Sequence, residues 1–200
     1  MTGVAGAALV VKIGGSLAEG GDGLPPWLAM LSEAGGRAIV VPGGGAFAER
    51  VREEQRRLGF SDGAAHRMAL LAMEQYALLL ADALRLLPCA GEEEVAAALA
   101  EGRVPVWLPS RMALGDPALS ESWDVTSDSL ALRLAQRLGA RRLALVKSAA
   151  APRPLDPAAL ARDGLVDRAF PRLFAAGPVT LDWIGPGEAA RLRQLLAGAA

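Results

Sequence analysis

The sequence predicts an α/β protein, a three-layer αβα sandwich built on a mostly parallel central sheet. Five short β-branched or aliphatic runs alternate with segments whose apolar residues recur at three- and four-residue spacing, the pattern of buried strands separated by covering helices. Glycine clusters follow the first two runs directly, as at the strand-to-helix junctions of open parallel sheets. A length of 200 residues, with 52% hydrophobic and 22% charged residues, suits one full-sized domain over residues 1–200 with a substantial core.

The elements follow in chain order. Ala8–Val11 reads as a buried strand that delivers Lys12 into a Gly14-Gly15-Ser16 turn, and Pro26–Ala34 as a helix. Ala38–Val41 is the next strand; Pro42 ends it, and Gly43-Gly44-Gly45 leads into a helix over Ala46–Leu58. The longest apolar region, Ala64–Leu87, carries His66, Arg67, Glu74, Asp82 and Arg85, a set too costly for a lipid-exposed span, so it is expected as a largely buried helix, with Met68, Met73 and Tyr76 as core filler or, alternatively, lining an acceptor pocket. Helix Glu92–Glu101, strand Val104–Leu108, helix Ser127–Leu138 and strand Leu143–Val146 follow. Prolines make the stretch 149–154 a loop, after which come helix Pro157–Arg162, strand Val179–Trp183 and helix Gly187–Leu196.

Composition narrows the function classes. A formal charge of −1 gives no basic surplus for nucleic acid or an anionic membrane. The single cysteine, Cys89, has no internal partner, and the N-terminus lacks a charged-then-apolar signal pattern, so a cytoplasmic protein is expected. One histidine and one cysteine make no metal-ligand cluster, and no Gly-x-Ser-x-Gly elbow supports a serine hydrolase. The long apolar helix fits either self-association into a homo-oligomer or burial within one chain.

What remains points to phosphate. Strand ends leave N–H groups unpaired, glycines let an anionic oxygen approach them, and Lys12 adds the point charge that phosphoryl transfer needs, so Lys12, Gly14, Gly15 and Ser16 form one candidate anion site. Gly43, Gly44 and Gly45 form a second, about thirty residues on, giving one cradle for a nucleotide and one for an acceptor. Asp128 lies in the polar run Ser122–Ser129; helix capping accounts for one or two of those residues, and Asp128 is the carboxylate suited to orient Lys12. Lys147 and Ser148 end a strand at the carboxyl edge, where ligands collect, though a solvated lysine would sit there equally well. His66 is either a satisfied structural histidine or a substrate contact. Arg50, Arg52, Arg56 and Arg57 read as a solvated face, with Arg52 an exception if the acceptor carries a phosphate.

Together these motifs resemble the amino acid kinase superfamily, over nearly the whole chain. Val11-Lys-Ile-Gly-Gly-Ser16 resembles its first phosphate loop, Val41-Pro-Gly-Gly-Gly45 its second, and Thr126-Ser-Asp-Ser-Leu-Ala131 the segment carrying its organising aspartate. The segments 43–48, 65–69, 71–75 and 122–128 look most like the short kinases of methanofuran biosynthesis, which convert an aminomethylfuran-methanol phosphate to the diphosphate with ATP. The resemblance implies ATP and Mg²⁺ as cofactors and in-line transfer to a phosphate oxygen. It also implies Lys12 on the migrating group, Asp128 orienting Lys12, and Gly43–Gly45 receiving the acceptor phosphate. His66, Trp123, Asp124 and Thr126 become acceptor-side residues, an aromatic ring and a carboxylate suiting a furan with an aminomethyl cation.

One departure stands out. Family members carry Val-Asp-Gly after the strand-end residue, whereas Ala149, Ala150 and Ala151 follow Ser148 here, removing a side-chain acceptor and a permissive backbone position. Two alternatives therefore stay open: a kinase of another phosphate, nucleoside monophosphate or isoprenoid phosphate, and a nucleotide- or anion-binding relative without catalysis.

Overall fold

A computed structural model of the protein describes residues 8–15 and 25–199; Ser16 of the first glycine turn lies outside them. The described strands are β1 (Leu9–Ile13), β2 (Ala38–Pro42), β3 (Leu87–Cys89), β4 (Pro105–Trp107), β5 (Arg142–Val146) and β6 (Thr180–Ile184). They form one six-stranded sheet in the order β3-β4-β2-β1-β5-β6, and every pairing is parallel. The nine α-helices of the described residues are α1 (Ala29–Ser32), α2 (Gly45–Leu58), α3 (Asp62–Leu84), α4 (Glu92–Ala100), α5 (Ser110–Ala113), α6 (Ser127–Leu138), α7 (Pro157–Arg162), α8 (Phe170–Phe174) and α9 (Ala189–Gly198).

The sheet is covered on both faces because successive strand side chains point to opposite sides. Val10, Ile39, Val41, Leu143 and Leu145 join one core with the buried face of α6 and with Phe170. Leu9, Val11, Ala38, Val40, Ala144 and Val146 join another with Leu28, Leu31, Leu192 and Leu196. This two-sided burial explains why β1, β2 and β5 read as continuous apolar runs in the sequence.

Helix ends follow local chemistry. Ser61 caps α3 by accepting from the Ala64 amide, and Asp156 caps α7 by accepting from Ala158 and Ala159. Helices α2 and α6 stop at Gly59 and Gly139, both left-handed, as C-terminal caps require. Alone among the described residues that are not glycine, Arg85 has a positive φ, 54°, and closes α3 three residues before the apolar run ends. Of that run only Leu87 enters β3, an edge strand where Pro88 costs no ladder bond that a neighbour needs.

Several expectations are thereby corrected. Helix Ala64–Leu87 is α3 over Asp62–Leu84, and its last expected residue, Leu87, instead opens β3, because a continuous apolar run has the same pattern in either element. Pro26–Ala34 is a 3₁₀ turn over Pro26–Leu28 followed by α1, and the last helix sits two residues further on, as α9. Helices α5 and α8 are too short to show a period. Met68 is 41% exposed rather than core filler, since five residues of helix turn it well away from buried Met73; Tyr76 is buried as expected.

Candidate active site

Three elements converge at the carboxyl ends of the central strands. Lys12 is on β1, and Lys147 follows β5; the register pairs Lys12 with Leu145 and Ile13 with Val146. Strand alternation sends both lysines to the face covered by α6, the side that Val10 and Leu145 also take. There α6 presents Asp128 in its first turn. The Lys12 ammonium lies 3.0 Å from Asp128 Oδ1, and Lys147 Nζ donates to Oδ2 at 2.7 Å and to the Leu165 carbonyl at 2.7 Å.

These groups are buried, with Lys12 and Asp128 each 4% exposed. Burial alone would raise the Asp128 pKa, but the charges of Lys12 and then Lys147, with the hydrogen bond from Lys147, bring it below the usual carboxylate range. Asp128 is therefore an anion at neutral pH. The Lys147 pKa is lowered, first by burial and then by the Lys12 charge, against the pull of Asp128. The contact from Lys12 to Oδ1 is an ion pair lying outside the direction of an aligned hydrogen bond. Of the three ammonium donors Lys147 commits two to protein oxygens, whereas the polar contact of Lys12 among the described residues is Asp128. Lys12 thus keeps more of its donors uncommitted to the described residues than Lys147 does.

The two glycine turns meet through bare backbone. A Cβ on Gly15 would stand 2.2 Å from the Gly45 nitrogen, so only glycine allows this approach. Gly45, at φ +48°, opens α2, and a Cβ there would strike the Tyr76 ring at 2.5 Å. Not every glycine amide is free for an anion: Gly14 donates to the Val146 carbonyl at 3.0 Å and Gly43 to the Ile13 carbonyl at 2.8 Å. These two amides lock the turns to the sheet. The cradle is left to Gly15, Gly44 and the first-turn amides of α2, which have no partner within their helix.

Beside the turns opens a cavity of about 330 Å³, lined by Gly15, Gly44, Gly45, Glu49, Arg52 and His66 and, from the other wall, by Met73, Trp123, Thr126 and Ser127. Arg52 stacks its guanidinium 3.9 Å from the Trp123 ring centre, and the Trp123 indole N–H donates to Gln55. Burial holds the His66 imidazole below its usual range, with Glu121 and the Ser122 backbone opposing, so it is neutral at pH 7.

Of the residues expected at the site, Lys12, Asp128 and Lys147 form the buried cluster, and Gly15, Gly44, Gly45, Arg52, His66, Trp123 and Thr126 line the cavity. Gly14 and Gly43 stand behind it. Asp124 does not line it: the side chain is exposed and faces Arg168 at 3.5 Å, because the turn at Ser122–Val125 that admits Trp123 points its neighbour outward. Ser148 follows Lys147 at an exposed position, and the alanine loop after it is pinned by the Trp183 indole, which donates to the Ala149 carbonyl at 2.9 Å. Sequence reasoning missed Glu49, hidden among charges that read as a solvated face, and Asp167, an isolated aspartate in no motif that accepts from Thr126 and Ser129.

Comparison with known proteins bears on what such an arrangement does. The model of the amino acid kinase family matches residues 7–150. A [5-(aminomethyl)furan-3-yl]methyl phosphate kinase from Methanocaldococcus jannaschii is 28% identical over 137 residues, spanning 67% of this chain and 62% of that relative's length. Uridylate kinase from Archaeoglobus fulgidus shares the fold with a TM-score of 0.65 at 16% identity, over 96% of each chain. UMP kinase from Bacillus anthracis does so at 0.66 and 14%, over 96% of this chain and 92% of that one. The family match spans well over half of the sequence and takes in both glycine turns, Lys12, Asp128 and Lys147, and by it this chain belongs to the amino acid kinase family.

Proposed function

We propose that the protein is an ATP-dependent kinase that passes the γ-phosphoryl group to the phosphate of a small molecule, with [5-(aminomethyl)furan-3-yl]methyl phosphate as the acceptor and its diphosphate as the product. The observation that carries this reading is the backbone contact of Gly15 with Gly45 beside the Lys12–Asp128–Lys147 cluster. Two anion cradles that touch hold donor and acceptor phosphates within transfer distance, and a lysine at their junction neutralises charge that develops between them.

The residues fit a nucleotide triphosphate chain: unhindered amides, a helix N-terminus and a lysine with donors to spare. Among the described residues no group of three or more His, Cys, Asp or Glu could hold a metal, and both Asp128 oxygens face ammoniums. Mg²⁺ would accompany the nucleotide rather than occupy a protein site of its own, and would supply charge neutralisation there. Lys12 then binds the migrating group, Asp128 orients Lys12, and Gly44, Gly45 and the start of α2 receive the acceptor phosphate. No general base is required, because a phosphate acceptor is already anionic at neutral pH.

The acceptor reading is supported by the named relative and by a small cavity carrying an aromatic ring, a neutral imidazole and a carboxylate, Glu49 taking the part first given to Asp124. A test is product analysis with ATP and a panel of the aminomethylfuran phosphate, UMP and isopentenyl phosphate. Preferred turnover of the furan is expected. Preference for another member would reassign the acceptor, and nucleotide binding without transfer to any would leave a non-catalytic relative. The exposed Met68, Leu71, Leu78 and Leu79 along α3 support self-association through that helix.

A further inference from the structure

The segment 163–169, between α7 and α8, contributes no residue to the cavity, yet it grips the site at three points. The Leu165 carbonyl accepts from Lys147 Nζ at 2.7 Å. Ala169 donates its amide to the Asp124 carbonyl at 2.9 Å, steadying the turn that carries Trp123. Between them, the Asp167 carboxylate takes the Thr126 amide, the Thr126 hydroxyl and the Ser129 amide on Oδ2 at 2.9, 2.9 and 3.0 Å. Oδ1 takes the Ser129 hydroxyl and, at 3.1 Å, the Phe170 amide.

Thr126, at the N-cap of α6, makes no side-chain cap of its own. The cap comes from Asp167, 41 residues downstream. Three of the five partners are amides, which can only donate, and the two hydroxyls rotate to suit either form of the acid. Burial and the charge of Asp128 push its pKa upward, and the donors from Ser129 and Thr126 oppose them. Asp128 occupies the turn that this cap fixes, two residues beyond Thr126.

We propose that Asp167 is a positioning residue for phosphoryl transfer: it anchors the first turn of α6 from outside the helix and so holds Asp128 between Lys12 and Lys147, while Leu165 on the same strap holds Lys147. The proposal rests on the kinase reading above. A shift of about 1 Å in such a constellation costs on the order of 100-fold in rate, with little change in how tightly the substrates bind.

The test compares full-length wild type, Asp167→Asn and Asp167→Ala by steady-state kinetics with ATP and the phosphorylated furan, and by hydrogen exchange of the α6 amides. Asparagine keeps one carbonyl oxygen that can receive the three donors on Oδ2; alanine keeps none. The expected order of kcat is wild type, Asn, Ala, with Ala down by about 10- to 100-fold, both KM values within about threefold, and exchange at residues 127–130 accelerating in the same order. Variants with kcat within twofold of wild type and unchanged exchange would overturn it. Loss of the fold in both would overturn it too, by assigning Asp167 to stability alone. If wild type transfers to no acceptor, the kinase reading is what fails; the exchange ordering then upholds the strap, and its absence removes it.

Discussion

Lys12 and Lys147 flank one carboxylate but are not equivalent, and the difference predicts how each fails. Replacing Lys12 with alanine leaves Asp128 paired with Lys147, so the fold is retained while the group aimed at the cradle is lost. Turnover of Lys12→Ala is expected to fall by about 100-fold or more with an unchanged circular dichroism spectrum; unaltered kcat would remove Lys12 from the mechanism. His66 gives a pH signature. Its folded pKa lies below the ordinary 6.5, so between those two values the unfolded chain binds more protons than the native one and stability rises with pH. Native stability contributed by neutral His66 is therefore complete above 6.5 and is lost as pH falls through the depressed value. Melting temperatures of wild type and His66→Gln across this range should diverge on acidification, wild type losing more; parallel curves would contradict the assignment.

Among the elements, the glycine turns carry the sharpest contrast. Gly45→Ala places a methyl group against the Tyr76 ring in a left-handed backbone, whereas Gly59→Ala meets nothing within 4 Å at φ +73°. The second should cost about 1–2 kcal/mol, the conformational penalty alone. The first should cost at least about 2 kcal/mol in denaturant unfolding and also open the contact with Gly15. Equal destabilisation by the two would show that the turns do not need their close approach. A single glycine turn after a strand is most often a chain reversal; these turns were legible in the sequence because two of them follow buried strands about thirty residues apart. The edge strand β3 was not, since Leu86 and Leu87 continue the apolar pattern of α3 and the break is made by Arg85, a residue with no intrinsic preference for the left-handed region.

For the whole molecule, alternation of strand and helix disclosed the layered architecture, and local motifs disclosed Lys12 and Asp128. What the sequence withheld depends on distant parts of the chain meeting. Asp167 is 38 residues from the Ser129 it binds, and the turn that carries Asp124 is anchored by the Ala169 amide, which donates to the Asp124 carbonyl. No window of local pattern contains those pairings. Self-association through α3 predicts a species larger than one 20.7 kDa chain by light scattering, and Leu71→Lys with Leu78→Lys should return it to the single-chain mass; a wild type already at that mass would count against it. The meeting of Gly15 and Gly45 without intervening side chains has a longer reach. On the kinase reading proposed above, the gap that a phosphoryl group crosses is set by peptide units rather than by side chains. On that reading Arg52, Trp123 and Glu49, which line the cavity through their side chains, set what is recognised without setting the distance of travel.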